Sequence, residues 1–293
     1  MIVWLNGDWI DEADAQISIR DTGLLHAAGV FTTMRSANNE VFALQRHLDR
    51  LRNSCAALFI PLQFSDDDLR RAVRETIDKN QLPDARLRLT VTRGLARQDP
   101  LHGLHLTPTI FLTATAFEAY PAQYYERGMT VVLLDEQKLN PFDIQSGHKT
   151  LNYFSRLTGL REANRRGAGE ALWFDVHNHL QSGSISNVFV VKNNDIFTPP
   201  TSAEAKRRTC VLPGITRAVI LELAAEAGIT ARTESIDVNQ LLEADEIFLT
   251  NSIMRVMPVC RLERKAIGND RPGSITQSIS AALEKKIQST LSP

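Results

Sequence analysis

The sequence predicts an α+β (mixed α/β) fold in two domains, and three observations carry that prediction. Segments that alternate apolar and polar residues, such as "ARLRLTVTRG", lie beside segments with apolar residues at helical spacing, such as "HLDRLRNSCAALFI". The two kinds follow one another without a regular strand–helix–strand rhythm, so a wholly parallel sheet is not expected. A polar, proline-bearing stretch, "EAYPAQYYERG" (118–128), interrupts the pattern near the middle of the 293 residues. The expected division is a smaller N-terminal α/β domain over 1–118, a linker over 119–128 and a larger C-terminal domain over 129–293.

In chain order, Ile2–Leu5 and Trp9–Ile10 read as a strand pair turning at "NGD". Leu48, Leu51, Cys55 and Leu58 define one stripe of an amphipathic helix, with His47 and Arg50 assigned to the opposite edge. A second helix is expected from Asp66 to Lys79, its start favoured by acidic residues. "ARLRLTVTRG" and "TPTIFLTATAF" read as neighbouring strands, and "MTVVLL" as a further strand beyond the linker. Leu151, Phe154, Leu157 and Leu160 predict the apolar face of the next helix. "EALWFDVHNHLQSGSISNVFVVKNNDIFTPP" reads as short strands joined by tight turns. "PGITRAVILELAAEAGI" runs from a loop into a helix ending near Gly228, and "ADEIFLTNS" is a strand stopping at a polar turn. From Gly273 onward, Ile275, Ile279, Leu283 and Ile287 mark a final helix.

Composition narrows the function classes. The chain is 43% hydrophobic and 23% charged with a net charge of −1, so no global field draws nucleic acid or an anionic membrane. No apolar run reaches the roughly 20 residues that span a bilayer, and "MIVWLNGDWI" lacks the features of a signal peptide. Cys55, Cys210 and Cys260 are odd in number and widely spaced, which suits the cytoplasm and supplies neither a disulfide framework nor a metal pair. "HGLH" (His102, His105) and "HNH" (His177, His179) have no accompanying ligand set, so no metal site is expected.

Three segments suit an anion. "LPGITR" puts Gly214, Ile215 and Thr216 at a helix start, where free N–H groups and the positive helix end favour phosphate. "TNS" (Thr250, Asn251, Ser252) ends a strand with hydroxyl and amide groups, and Arg50 offers a fixed positive charge. Lys149 in "GHKTLNYFSRL" precedes a predicted helix; a helix start and nearby cations disfavour its charged form, and a neutral amine is a nucleophile for an aldehyde. Phosphate anchors with an activated lysine are what pyridoxal phosphate requires.

The stretches "NGDWIDEADAQISIRDTGLLHAAGVFTTMR", "HLDRL", "HKTLNY", "EALWFDVHNHLQSGSISNVFVV", "TPP", "LPGITR" and "EIFLTNSIMRVMPV" together resemble the class IV (fold-type IV) pyridoxal-phosphate enzymes, over nearly the whole chain and in order. That family includes branched-chain and D-amino acid aminotransferases and 4-amino-4-deoxychorismate lyases. The resemblance implies a two-domain D-amino acid aminotransferase-like fold with pyridoxal 5'-phosphate between the domains, the C-terminal one binding it, in a homodimer with active sites near the interface. It assigns Lys149 as Schiff-base lysine and proton shuttle, and Arg50 as the phosphate-binding arginine. It further assigns Ile215 and Thr216 as phosphate donors and Ser252 with Ile253 as the second phosphate loop.

"GVFTTMR", with Thr32 and Thr33 where aminotransferases of the family usually have "GVFE", is similar to the lyase pattern, as is "TNSIMRVMPV" beside the "GTAAEITPV" type. The resemblance therefore implies a lyase converting 4-amino-4-deoxychorismate to 4-aminobenzoate and pyruvate, a step toward folate. Lys149 would remove a proton, and Thr32 or Thr33 would bond or help protonate the leaving group. Arg97 is a candidate for a substrate carboxylate. The alternative is an aminotransferase for branched-chain or D-amino acids, and behind it a binding homologue of impaired activity. Ser182 stands where most members of the family carry an acidic residue on the cofactor's ring nitrogen, with neighbouring Gln181 as its possible substitute; a neutral serine favours elimination over transamination.

Overall fold

The computed structural model describes residues 1–99, 103–134 and 137–291, and these divide into two compact units. One comprises Met1–Glu118, His148–Asn152 and the described part of Thr290–Pro293; the other comprises Ala119–Gly147 and Tyr153–Ser289. Lys149 therefore groups with the N-terminal residues although it lies 31 residues beyond Glu118 in sequence.

The first unit holds strands β1 (Ile2–Leu5), β2 (Asp8–Asp11), β3 (Gly29–Ala37), β4 (Glu40–Val41), β5 (Ala85–Asp99) and β6 (Gly103–Ala116). Its helices are α1 (Thr22–His26), α2 (Leu44–Ala57) and α3 (Asp66–Asn80). The sheet runs β2-β1-β6-β5-β3-β4, antiparallel throughout. Ser65 caps α3 with Asp68 closing the reciprocal bond, so the sequence-predicted acidic start is a capping box. Val30 and Met34 of β3, Leu87, Leu89 and Val91 of β5, and Leu48, Leu51, Leu69 and Ile77 of the helices form one core.

The second unit is built on strands β7 (Met129–Leu133), β8 (Glu170–Phe174), β9 (Leu180–Gly183), β10 (Asn187–Lys192), β11 (Asp195–Thr198), β12 (Ala231–Thr233), β13 (Glu246–Asn251), β14 (Arg255–Leu262) and β15 (Lys265–Ala266). Its helices are α4 (Ala122–Arg127), α5 (Phe154–Arg165), α6 (Ser202–Ala205), α7 (Ile215–Glu226), α8 (Val238–Leu242) and α9 (Ser274–Leu291). The sheet runs β12-β11-β10-β13-β14-β7-β8-β9, with β15 on β14. It is mixed: β14, β7 and β8 are parallel neighbours, whereas β10, β13 and β14 pair antiparallel. This confirms the α+β prediction and the absence of a wholly parallel sheet.

Two helical expectations need correction. Leu151 lies outside α5, and Phe154 and Leu157 are exposed (81% and 55%); the helix buries Gly159 and Ala163 instead. The reason is space: a Cβ on Gly159 would come within 2.5 Å of the Trp173 ring, so only the small-residue edge of α5 approaches β8. His47 is not on a solvated edge of α2 but is buried beside Leu48 and Leu51, because Thr32 of β3 meets its ring. The stretch 118–128 contains α4, whose Tyr125 hydroxyl donates to the Met254 carbonyl within the second unit.

Candidate active site

In the first unit, strand alternation separates the two threonines. Val30, Thr32, Met34 and Ser36 are fully buried on the face that meets α2; Phe31, Thr33 and Arg35 take the other. Thr32 Oγ1 lies 2.8 Å from His47 Nδ1 and accepts a hydrogen bond from Arg50 Nη2 at 3.1 Å. With its oxygen accepting from Arg50, Thr32 has its own proton available for Nδ1 of a neutral His47. Burial, and then the positive charges of Arg50 and Lys149, hold His47 well below its ordinary pKa.

On the other face, the Lys149 ammonium lies 4.6 Å and the Arg88 guanidinium 3.6 Å from the Phe31 ring centre. Thr33 is directly opposite Arg88 in register and so shares the face that Phe31 presents to Lys149. Lys149 is not at a helix start; α5 begins only at Phe154. It rides an extended segment pinned to β3: Phe31 N donates to Lys149 O and Leu151 N donates to Gly29 O, both at 2.9 Å. That approach requires glycine at 29, since a Cβ there would lie 2.7 Å from Leu151 and 2.8 Å from the Val91 carbonyl. His148 Nδ1 ties the segment to Ser54 Oγ at 3.0 Å. Arg97 is exposed at the far end of β5, paired with His105.

In the second unit, Ser182 pairs with Trp173 and Leu180 with Phe174, so Gln181 between them is the extra residue at an irregularity of β9. Gln181 is fully engaged: its amide nitrogen donates to Asp175 Oδ2 at 2.9 Å and its oxygen accepts from Cys210 N at 2.9 Å. It is therefore not a substitute for the group at 182. Ser182 Oγ accepts from Arg156 Nη1 at 3.1 Å, and the same nitrogen donates to the Gly183 carbonyl at 3.1 Å. The guanidinium also packs 4.9 Å from the Trp173 ring centre. Behind this pair, buried Glu170 accepts from Ala171 N, Ser184 N, Ile185 N and Ser186 Oγ, fixing the turn after Gly183. Burial pushes the Glu170 carboxyl upward against those four hydrogen bonds.

The expected anion segments also lie in this unit. The α7 start at Gly214 has no side-chain cap, so its first N–H groups have no partner from that source. Ile215 and Thr216 are both buried there. The hydroxyl of Thr250, on β13 opposite Asn187, is buried without a hydrogen-bond partner. A side-chain-uncapped helix start and an orphaned hydroxyl are donors in want of an acceptor, which fits a phosphate. Ser252 stands in the turn that Asn251 shapes; Asn251 Oδ1 accepts from Ile253 N and Met254 N, both at 2.8 Å. The Ile253 N–H is thus engaged internally, and Ser252 is the better donor of that loop. The remaining arginine of "LPGITR", Arg217, is structural, bonding Glu204 and the Pro199 carbonyl of "TPP".

Among the described residues there is no cluster of three or more potential metal ligands. His177 and His179 donate their backbone N–H groups to Asp175, and His102 of "HGLH" lies outside the described residues. Sequence reasoning missed Arg156, Arg88 and Glu170. Arg156 in "YFSRL" has the look of a surface helix residue, and only the fold brings it to Ser182.

The fold is that of a pyridoxal-phosphate-dependent enzyme. The sequence model of the amino-transferase class IV family matches residues 29–262, and the chain belongs to that family. It is 32% identical to the D-alanine aminotransferase of Bacillus licheniformis over 99% of this chain and 98% of that one. It is 30% identical to the branched-chain-amino-acid aminotransferase of Salmonella typhimurium over 96% and 91% of the two chains. The crystal structure of the Escherichia coli branched-chain amino acid aminotransferase superposes with a TM-score of 0.88 at 29% identity, covering 97% of this chain and 93% of that one. The protein is accordingly a pyridoxal-phosphate-dependent enzyme of the class IV fold.

Proposed function

We propose that the protein is a lyase that converts 4-amino-4-deoxychorismate to 4-aminobenzoate and pyruvate. The observation that carries the reading is Ser182, neutral and hydrogen-bonded by Arg156, at the position where the family resemblance puts an acidic residue in most members. Bound pyridoxal phosphate supplies an aldehyde for the substrate amine and a sink for electrons from the adjacent carbon. Without a carboxylate at 182 that sink is weaker, which suits a reaction whose product ring becomes aromatic and so has its own driving force. Lys149 would hold the cofactor and, as a free amine, would take the proton from the amine-bearing carbon of the substrate. Thr33 shares the Phe31 face with Lys149 and is the threonine suited to hydrogen-bond the departing enolpyruvyl oxygen. Thr32 instead positions Arg50, the proposed phosphate ligand together with Ile215, Thr216 and Ser252. Arg97 is proposed for a substrate carboxylate on the family resemblance alone.

A second reading, transamination of branched-chain or D-amino acids, is favoured by the 32% and 30% identities to aminotransferases. The exposed Phe154 and Leu157 support a homodimer, and three unbridged, buried cysteines support a reducing cytoplasm. No helix among the described residues is long and apolar enough to cross a membrane. The test is direct. Holoenzyme given aminodeoxychorismate should release pyruvate and 4-aminobenzoate in equal amounts. Amino-group transfer from a branched-chain or D-amino acid to 2-oxoglutarate, with no release of 4-aminobenzoate, would overturn the lyase reading.

A further inference from the structure

The geometry points to Arg156 and Ser182 acting as a pair that keeps the ring nitrogen of bound pyridoxal phosphate unprotonated, an inference that rests on reading Ser182 as the residue facing that nitrogen.

A guanidinium has donors only, so the 3.1 Å contact from Arg156 Nη1 makes Ser182 Oγ the acceptor. The hydroxyl proton of Ser182 is then left to donate elsewhere. A donor requires an acceptor, and a pyridine nitrogen is an acceptor only in its unprotonated form. The alternative state, a protonated ring nitrogen donating to the second lone pair of Oγ, would set one cation beside another across a single oxygen.

Charge balance supports the same state. Among the described residues, Arg156 has no carboxylate as hydrogen-bond or ion-pair partner; it meets Ser182 Oγ, the Gly183 carbonyl and the Trp173 ring. The neighbouring acid, Glu170, already accepts three backbone N–H groups and the Ser186 hydroxyl, and burial disfavours its ionised form. The guanidinium stays charged at every working pH. Its charge is met by no hydrogen-bonded carboxylate, only by the more distant influence of groups such as Glu170, where the ring nitrogen would need a negative partner to take up a proton. Arg156 is a positioning residue in this scheme, because it reaches the ring through Ser182. Trp173 and the turn held by Glu170 fix its direction.

The test is nuclear magnetic resonance of the holoenzyme reconstituted with pyridoxal phosphate carrying nitrogen-15 in the ring, whose chemical shift reads protonation without any turnover. The native holoenzyme should show the unprotonated pyridine signal at neutral pH. Arg156→Gln keeps a donor to Ser182 Oγ but removes the charge, and should raise the nitrogen's titration midpoint by about one pH unit or more. Arg156→Lys keeps the charge and should restore the native midpoint. Ser182→Glu combined with Arg156→Leu should move the signal to the protonated position. A native signal at the protonated position overturns the inference. So does a midpoint unchanged in Arg156→Gln, or a signal unmoved in the double variant while it still binds cofactor. The product assay is independent of this readout: amino transfer in place of elimination would defeat the lyase reading and leave the ring-nitrogen result standing.

Discussion

Thr32→Val separates a structural role for Thr32 from a catalytic one. Valine preserves the shape of a side chain that is fully buried and removes only the hydroxyl. Two hydrogen bonds disappear: the 3.1 Å bond from the Arg50 guanidinium and the 2.8 Å contact with His47 Nδ1. A bond to a charged donor contributes about 1.5–3 kcal/mol, and half-buried Arg50 belongs at the low end. The bond to neutral His47 contributes about 1 kcal/mol, and Nδ1 left buried without a donor costs about 1–3 kcal/mol. These overlap, because the stranded nitrogen includes the lost bond, so the net destabilisation is about 2–4 kcal/mol. Urea unfolding of the apoprotein measures it as a lower midpoint at unchanged slope. Arg50, released from its hydrogen bond to Thr32 on β3, should also hold phosphate less well, with cofactor affinity falling about tenfold (~1.4 kcal/mol). Stability within about 0.5 kcal/mol of the native protein, together with lost turnover, would refute the assignment and return Thr32 to the reacting atoms.

Thr33→Val should do the reverse: stability within about 0.5 kcal/mol, and kcat on aminodeoxychorismate lower by about 10²-fold, read by 4-aminobenzoate release. Acidification should destabilise the protein through His47. Its folded pKa lies well below 6.5, so the unfolded chain takes up the proton first; the stability is present above pH 6.5 and lost as pH falls toward the folded value. His47→Asn should flatten the stability–pH slope below 6.5 by up to about 1.4 kcal/mol per pH unit, measured by urea midpoints at stepped pH. Glu170→Gln replaces one acceptor oxygen by an amide donor facing N–H or hydroxyl donors, and should cost about 2 kcal/mol or more in the same unfolding assay.

Much of the framework was legible. The period-two run of β5, the acidic start of α3, the α7 start at Gly214 and the apolar stripe of α9 all carry local signals, and local signals survive into the fold. The site was legible mainly through resemblance, since Lys149, Arg50 and Ser182 are ordinary residue types whose meaning lies in their company. What remained hidden was set by contacts distant in sequence. Two consecutive threonines in β3 offer no hydrophobic contrast, so the face each takes depends on the pairing with β5 and the packing of α2. His47 is polar on a helix edge yet buried, because Thr32, fifteen residues earlier, satisfies its ring. The stripe through Phe154 and Leu157 is helical in period but exposed, because the helix turns inward at Gly159, where the Trp173 ring leaves no room for a Cβ, and at Ala163. Arg156 reaches Ser182 across twenty-six residues that no local pattern links.

The central claim is that Lys149, on its segment pinned to β3, is the residue that bears the cofactor. Borohydride reduction of the holoenzyme followed by peptide mass spectrometry measures this directly. The phosphopyridoxyl mass should appear on the peptide containing Lys149, and Lys149→Ala should lose the label and the visible absorption together. A label on any other lysine, or an unlabelled Lys149 in protein that retains its colour, would contradict the account.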